Sequence, residues 1–224
     1  MNIIDNQNTI TKVKDTLVKQ VLGYGGTYYY SVITFGFLDK YGIPLPPSII
    51  HKYWDKTEVE KTCRIIYRSL KETFNIENIF MFIERHKPML DKDGDIIKEG
   101  RFHLNIITTG IDDDIIECPN RKVRKLLLEN GDLGIPIQNI QYKDIEDIKI
   151  DLFNVCCKRF QWLNNYNSTI ETQPLPTEKD VENVVYYCLG DWTGTYKDKK
   201  GNPTRNIIDF TDIIVWKSSD FYSE

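Results

Sequence analysis

Two runs near the middle of the chain, NIFMFIERH at residues 78–86 and RFHLNIITTG at 101–110, constrain its fold most tightly. Both are rich in β-branched and aromatic residues and read as strands. Between them lies the turn-rich stretch Asp91-Lys92-Asp93-Gly94-Asp95. It lacks the full ligand series and closing bidentate glutamate of a calcium loop, so an ordinary hairpin connection is expected. The two strands are then sheet neighbours.

The flanking segments extend this reading. Residues 10–22 can form a short helix stopped by Gly23, and Thr27 to Phe37 reads as a strand cut off by Pro44, Pro46 and Pro47. Thr57 and Glu60 stand at capping-box spacing before a helix whose apolar face carries Val59, Cys63, Ile66, Tyr67, Leu70 and Phe74. Asn120 caps a helix through Asn130 that stops at Gly131, and residues 143–164 repeat apolar side chains at helical intervals. A polar linker with Pro174 and Pro176 leads to Thr177 and Asp180, again at cap spacing, and to a helix stopped by Gly190. The tail NIIDFTDIIVW reads as a last strand. The order β-α-β-β-α-α-α-β predicts an α+β fold, a central antiparallel β-sheet with helices packed mainly on one face.

Composition narrows the class. The 224 residues suit one domain, and the 13 Tyr, 10 Phe and 4 Trp belong to a folded chain. No apolar run approaches the ~20 residues needed to cross a bilayer. The N-terminus lacks the apolar stretch and cleavage site of a signal peptide, so no membrane partner and a cytoplasmic location are expected. The five cysteines are odd in number and form no CxxC pair, which predicts free, mostly buried thiols. A net charge of −4 argues against coating long duplex DNA. Local clusters would still hold a few phosphates, foremost Arg121, Lys122, Arg124 and Lys125, and also Lys158 with Arg159 and Lys197 to Arg205.

Of the three histidines, His51 lies at a Pro-flanked helix start and is assigned no function. His103 and Asn105 are two apart on a strand and so share a face, as do Glu84 and His86 on the preceding strand. If those strands pair, a carboxylate, one or two imidazoles and an amide oxygen converge. That donor mix suits Mn²⁺ or Mg²⁺ better than a thiolate-bound zinc.

Phe102-His103-Leu104-Asn105-Ile106-Ile107 resembles the histidine–hydrophobic–histidine strand of the HUH endonucleases, the rolling-circle replication initiators and relaxases. Some small-DNA-virus initiators carry glutamine at the second histidine, so an amide there has a parallel. Glu84-Arg85-His86 resembles the upstream strand that supplies the family's carboxylate ligand. Tyr187-Cys188 resembles the tyrosine–cysteine pair of some viral initiators. It makes Tyr187, which flanks the buried stripe of its helix, the preferred nucleophile, with Tyr186 second and pointing further round toward solvent. The family's lysine three residues later is absent, because Gly190 stands there. A literal Tyr-x-x-Lys at Tyr196 and Lys199 falls in a turn and reads as coincidence.

The resemblance implies a ferredoxin/RRM-like core over residues 27–190, with an N-terminal helical extension at 1–26 and a C-terminal hairpin or strand extension at 191–224. It implies metal ligands His103, Asn105, Glu84 and His86, and a plasmid or phage setting in DNA replication. The substrate would be single-stranded DNA at an origin-like site, nicked through a 5′-phosphotyrosine link. With no helicase-type phosphate loop in the sequence, unwinding would fall to a separate helicase. Two other classes stay open: a non-catalytic nucleic-acid-binding regulator using the same sheet, and a phage or plasmid accessory protein acting by protein–protein binding.

Overall fold

A computed structural model describes residues 7–39, 41–53, 55–76, 78–85, 89–98, 102–129, 145–158, 169–189, 196–197, 203–204 and 213–216. The elements are α1 (Gln7–Leu22), β1 (Tyr28–Thr34), α2 (Pro47–Ile50), α3 (Lys56–Phe74), β2 (Ile79–Arg85), β3 (Met89–Leu90), β4 (Ile96–Lys98), β5 (Phe102–Thr109), α4 (Asp113–Glu117), α5 (Arg121–Glu129), α6 (Ile145–Lys158), β6 (Thr169–Leu175), α7 (Glu178–Cys188), β7 (Tyr196–Lys197), β8 (Pro203–Thr204) and β9 (Ile213–Trp216). The fold is α+β. Its main sheet is antiparallel in the order β6-β1-β5-β2-β9.

β5 is the central strand, and every side chain from Phe102 to Thr108 is buried. Alternate residues of a strand face opposite ways, so both sides of the sheet must be covered. On one side Ile33, Ile79, Met81, Ile83, Leu104 and Ile106 meet Val59, Ile66 and Leu70 of α3, Ile116 of α4, Val123 and Leu126 of α5, and Leu152 and Phe153 of α6. On the other, Tyr28, Tyr30, Phe80, Phe82 and Ile107 meet Val18 and Val21 of α1 and Val181, Val185 and Cys188 of α7. Each fully buried aliphatic side chain contributes about 1.5–3 kcal/mol, so the first core dominates stability.

Local chemistry sets the ends of the elements. α3 starts two residues before the expected capping box. Asp55 is the cap and accepts from the backbone N–H groups of Thr57 and Glu58 at 2.9 and 3.3 Å, which places Thr57 inside the helix. Asn75 closes α3 in the left-handed conformation, at φ 57°. The Asp91–Asp95 stretch joins β3 to β4 as a hairpin: the Asp91 carboxylate accepts from the N–H of Asp93 and Asp95, and Gly94 supplies the positive φ of 83°. At α7 the Thr177–Asp180 capping box is present. The expected stops at Gly131 and Gly190 lie outside the described residues, as does the end of the 143–164 helix beyond Lys158.

The expected polar linker before Thr177 is instead strand β6, with Tyr29 paired to Pro174 and Tyr30 to Gln173. Among the described residues β6 has β1 as its only strand neighbour. An edge position tolerates a proline, which has no N–H to give to a further strand. The Ser31 and Thr172 hydroxyls meet at 2.8 Å, and Thr172 donates to Asn154 of α6 at 2.6 Å, fastening the edge.

Cys63, Cys156, Cys157 and Cys188 are buried, Cys118 is exposed, and all are free thiols. No helix among the described residues is long and apolar enough to cross a membrane.

Candidate metal centre and nucleophilic tyrosine

The β2–β5 register sets Glu84 opposite His103 and Phe82 opposite Asn105. His103, Asn105 and Glu84 therefore share the α1/α7 face, as the period of two in their strands requires. Glu84 Oε2 lies 2.8 Å from His103 Nε2 and accepts from Asn105 Nδ2 at 2.8 Å. Tyr30, diagonally placed on β1, donates its hydroxyl to Asn105 Oδ1 at 2.7 Å. Asn105 is wholly buried and His103 7% exposed, whereas the Glu84 side chain keeps 30% of its surface in solvent. The cluster opens outward at Glu84.

The last turn of α7 closes over this cluster. Val181, Val185 and Cys188 face the sheet, which rotates Tyr187 to the rim, 62% exposed. Partial burial and the Glu84 charge raise the Tyr187 phenol above its ordinary 10.0, with a smaller contribution from Cys188. Tyr187 thus stands in the electrostatic field of the carboxylate it was expected to work beside. Tyr30 is pushed up further, first by burial and then by Cys188, Tyr187 and Glu84.

Tyr186 differs from expectation. It does not point to solvent but packs half-buried against α1, donating its hydroxyl to Asp15 at 2.6 Å beneath the Lys14 ammonium, 5.0 Å from the ring centre. The Asp15 hydrogen bond, with burial behind it, pushes this phenol up to about 12. The reason is a partner the helix pattern alone cannot show: α1 lies alongside α7.

The basic run is also placed elsewhere. Arg121, Lys122, Arg124 and Lys125 are exposed on α5, in the layer on the far side of the sheet, and Lys122 pairs with Glu72 at 2.9 Å. His86 lies outside the described residues, as do the side chains of Lys158 and Arg159, the side chain of Tyr196, and Lys199.

Sequence reasoning missed Tyr30, read there only as part of a strand, and Lys149. Lys149 is buried on α6, pairs with Asp113 and with Glu146 at 3.0 Å, and Glu146 also accepts from Tyr29 at 2.7 Å. Ion pairing outweighs burial and raises the Lys149 ammonium. This is a structural tie on the other face.

The donors fit a hard divalent cation in part as they stand. Ligands about 2.1 Å from an octahedral ion sit about 3 Å apart, close to the spacing of His103 Nε2 and Glu84 Oε2. Asn105 presents nitrogen to Glu84, so its amide must turn over to offer oxygen, and Tyr30 must then accept instead of donate. Among the described residues no group of three or more His, Cys, Asp or Glu is poised for a metal. No protein-family model matches the chain, and neither curated proteins nor solved structures gave a match.

Proposed function

We propose that the chain is a divergent HUH-type nuclease that nicks single-stranded DNA through Tyr187. One observation carries the reading. A rim tyrosine on α7 stands in the field of a carboxylate that is itself held by a histidine two residues from an amide on the central strand. His103 and Glu84 would hold Mn²⁺ or Mg²⁺, with Asn105 Oδ1 after its amide turns. The bound ion would supply Lewis-acid stabilisation of charge on the scissile phosphate oxygens.

The chain's own residues do the rest. Tyr187 gives up its phenol proton, its oxygen forms a bond to phosphorus, and the bond from phosphorus to the 3′ oxygen breaks. The 3′ oxygen takes up a proton, leaving a 3′-hydroxyl and a 5′-phosphotyrosine that conserves the energy for rejoining. A phenol is protonated at neutral pH, and burial with the Glu84 charge raises this one further, so cationic charge beside Glu84 would ease its ionisation. The hydrogen bond from the Tyr186 hydroxyl to Asp15 supports reading Tyr186 as a prop for α7 and Tyr187 as the nucleophile.

A labelled pool of single-stranded oligonucleotides with Mn²⁺ tests this. The expected result is shortened products with 3′ ends that a polymerase extends, lost with EDTA and in His103→Ala and Glu84→Ala. A second reading, a non-catalytic nucleic-acid-binding module, is favoured by the way Glu84 already satisfies both His103 and Asn105. Salt-sensitive oligonucleotide binding without cleavage, and without Mn²⁺ uptake by calorimetry, would select it.

A further inference from the structure

The orientation of the Asn105 amide is dictated by its neighbours. A carboxylate only accepts, so the amide end beside Glu84 must be nitrogen, and the oxygen end must face Tyr30. Tyr30 is therefore the donor in that pair. It is buried, at 7% exposed, and its other neighbour is the Cys188 thiol at the end of α7. Cys188 touches Tyr30, and the adjacent Tyr187 lies in the field of Glu84. Cys188 thus lies against the Tyr30 end of the polar chain Tyr30–Asn105–Glu84, and the field of its Glu84 end reaches Tyr187.

We propose that Tyr30 is a positioning residue whose hydroxyl lets either end of the Asn105 amide face the His103–Glu84 pair. A phenol can give or accept a hydrogen bond, so it satisfies the amide in both orientations: nitrogen toward Glu84, or oxygen toward a divalent cation. A phenylalanine satisfies neither. It leaves a buried amide end without a partner, and an unpaired N–H is the less tolerated of the two. Removing the hydroxyl therefore disfavours the oxygen-out orientation that metal binding requires. The metal part of this inference rests on the proposed nuclease reading; the amide orientation does not.

The first test needs no metal. In ¹⁵N-labelled protein the Asn105 side-chain amide, identified by its loss in Asn105→Asp, is expected as a single pair of resonances protected from hydrogen exchange. Tyr30→Phe, which keeps the ring, is expected to reduce that protection about tenfold and to split or shift the pair, the effect of one lost hydrogen bond. An unprotected pair in the wild type, or an unchanged pair in Tyr30→Phe, overturns the proposal. The second test is Mn²⁺ titration calorimetry in a double-mutant cycle. Tyr30→Phe should weaken Mn²⁺ about tenfold when residue 105 is Asn, and change it little in the Asn105→Asp background, since a carboxylate has oxygen at both ends. Equal losses in both backgrounds overturn the switching role. Wild-type protein that shows the amide behaviour yet takes up no Mn²⁺ would sink the metal reading and leave the positioning role standing.

Discussion

The two faces of the sheet are built from the same strands and do different work. Toward α3–α6 the even residues of β5, Phe102, Leu104 and Ile106, meet a deep apolar layer. Toward α1 and α7 the odd residues His103 and Asn105 lie beside Glu84, at the margin of a smaller core. A single step along a strand separates the residues that hold the fold from those proposed to act. The difference teaches why a polar cluster is tolerated on a central strand. Asn105, with no exposed surface, has hydrogen bonds on both ends of its amide, and the face behind it supplies the stability.

The comparison makes unequal demands on mutations. Leu70→Ala, at the centre of the larger core, should destabilise the protein by about 2–5 kcal/mol in denaturant unfolding. Val185→Ala on the opposite face removes two carbons and should cost about 2 kcal/mol; a loss as large as that of Leu70→Ala would erase the asymmetry. Thr177→Ala, which breaks the capping box that starts α7, should cost about 1 kcal/mol.

Alkaline titration probes one phenol on each face. Burial raises both Tyr29 and Tyr30, with the Glu146 hydrogen bond adding to Tyr29 and the charges of Cys188, Tyr187 and Glu84 adding to Tyr30. A raised folded-state value means the contribution is complete below the unfolded value of 10.0 and is lost as pH climbs above it. Stability should therefore fall above pH 10, and Tyr29→Phe and Tyr30→Phe should each flatten that fall. The smallest effect is the most local. In Glu84→Gln the Tyr187 titration midpoint, followed by NMR of labelled tyrosine, should move down toward 10.0 without reaching it, because burial outweighs the Glu84 charge. An unmoved midpoint would separate Tyr187 from the cluster.

The α+β class and the convergence of Glu84, His103 and Asn105 were legible from period-two patterning on two runs joined by a turn-rich stretch. What lay beyond reach depended on partners distant in the chain. Tyr30 meets Asn105 only because β1 pairs with β5 on the side away from β2, and no local pattern states that order. β6 was hidden by Glu171, Gln173 and Pro174, which an edge strand accepts because one of its sides meets no strand among the described residues. Tyr186 was turned toward solvent in the helix pattern because α1, which covers it, lies 171 positions away at Asp15. The Arg121–Lys125 run has an exposed face in either reading, but which side of the sheet α5 covers is a tertiary choice.

In the proposed nuclease the α1/α7 face arms Tyr187, and not its neighbour, against DNA. The direct measurement is incubation of the full chain with labelled single-stranded oligonucleotides and Mn²⁺, resolved on a denaturing protein gel. The expected result is a covalent, EDTA-sensitive protein–DNA adduct that vanishes in Tyr187→Phe and persists in Tyr186→Phe. An adduct that persists in Tyr187→Phe, or none with any oligonucleotide in a protein that also takes up no Mn²⁺, would contradict it.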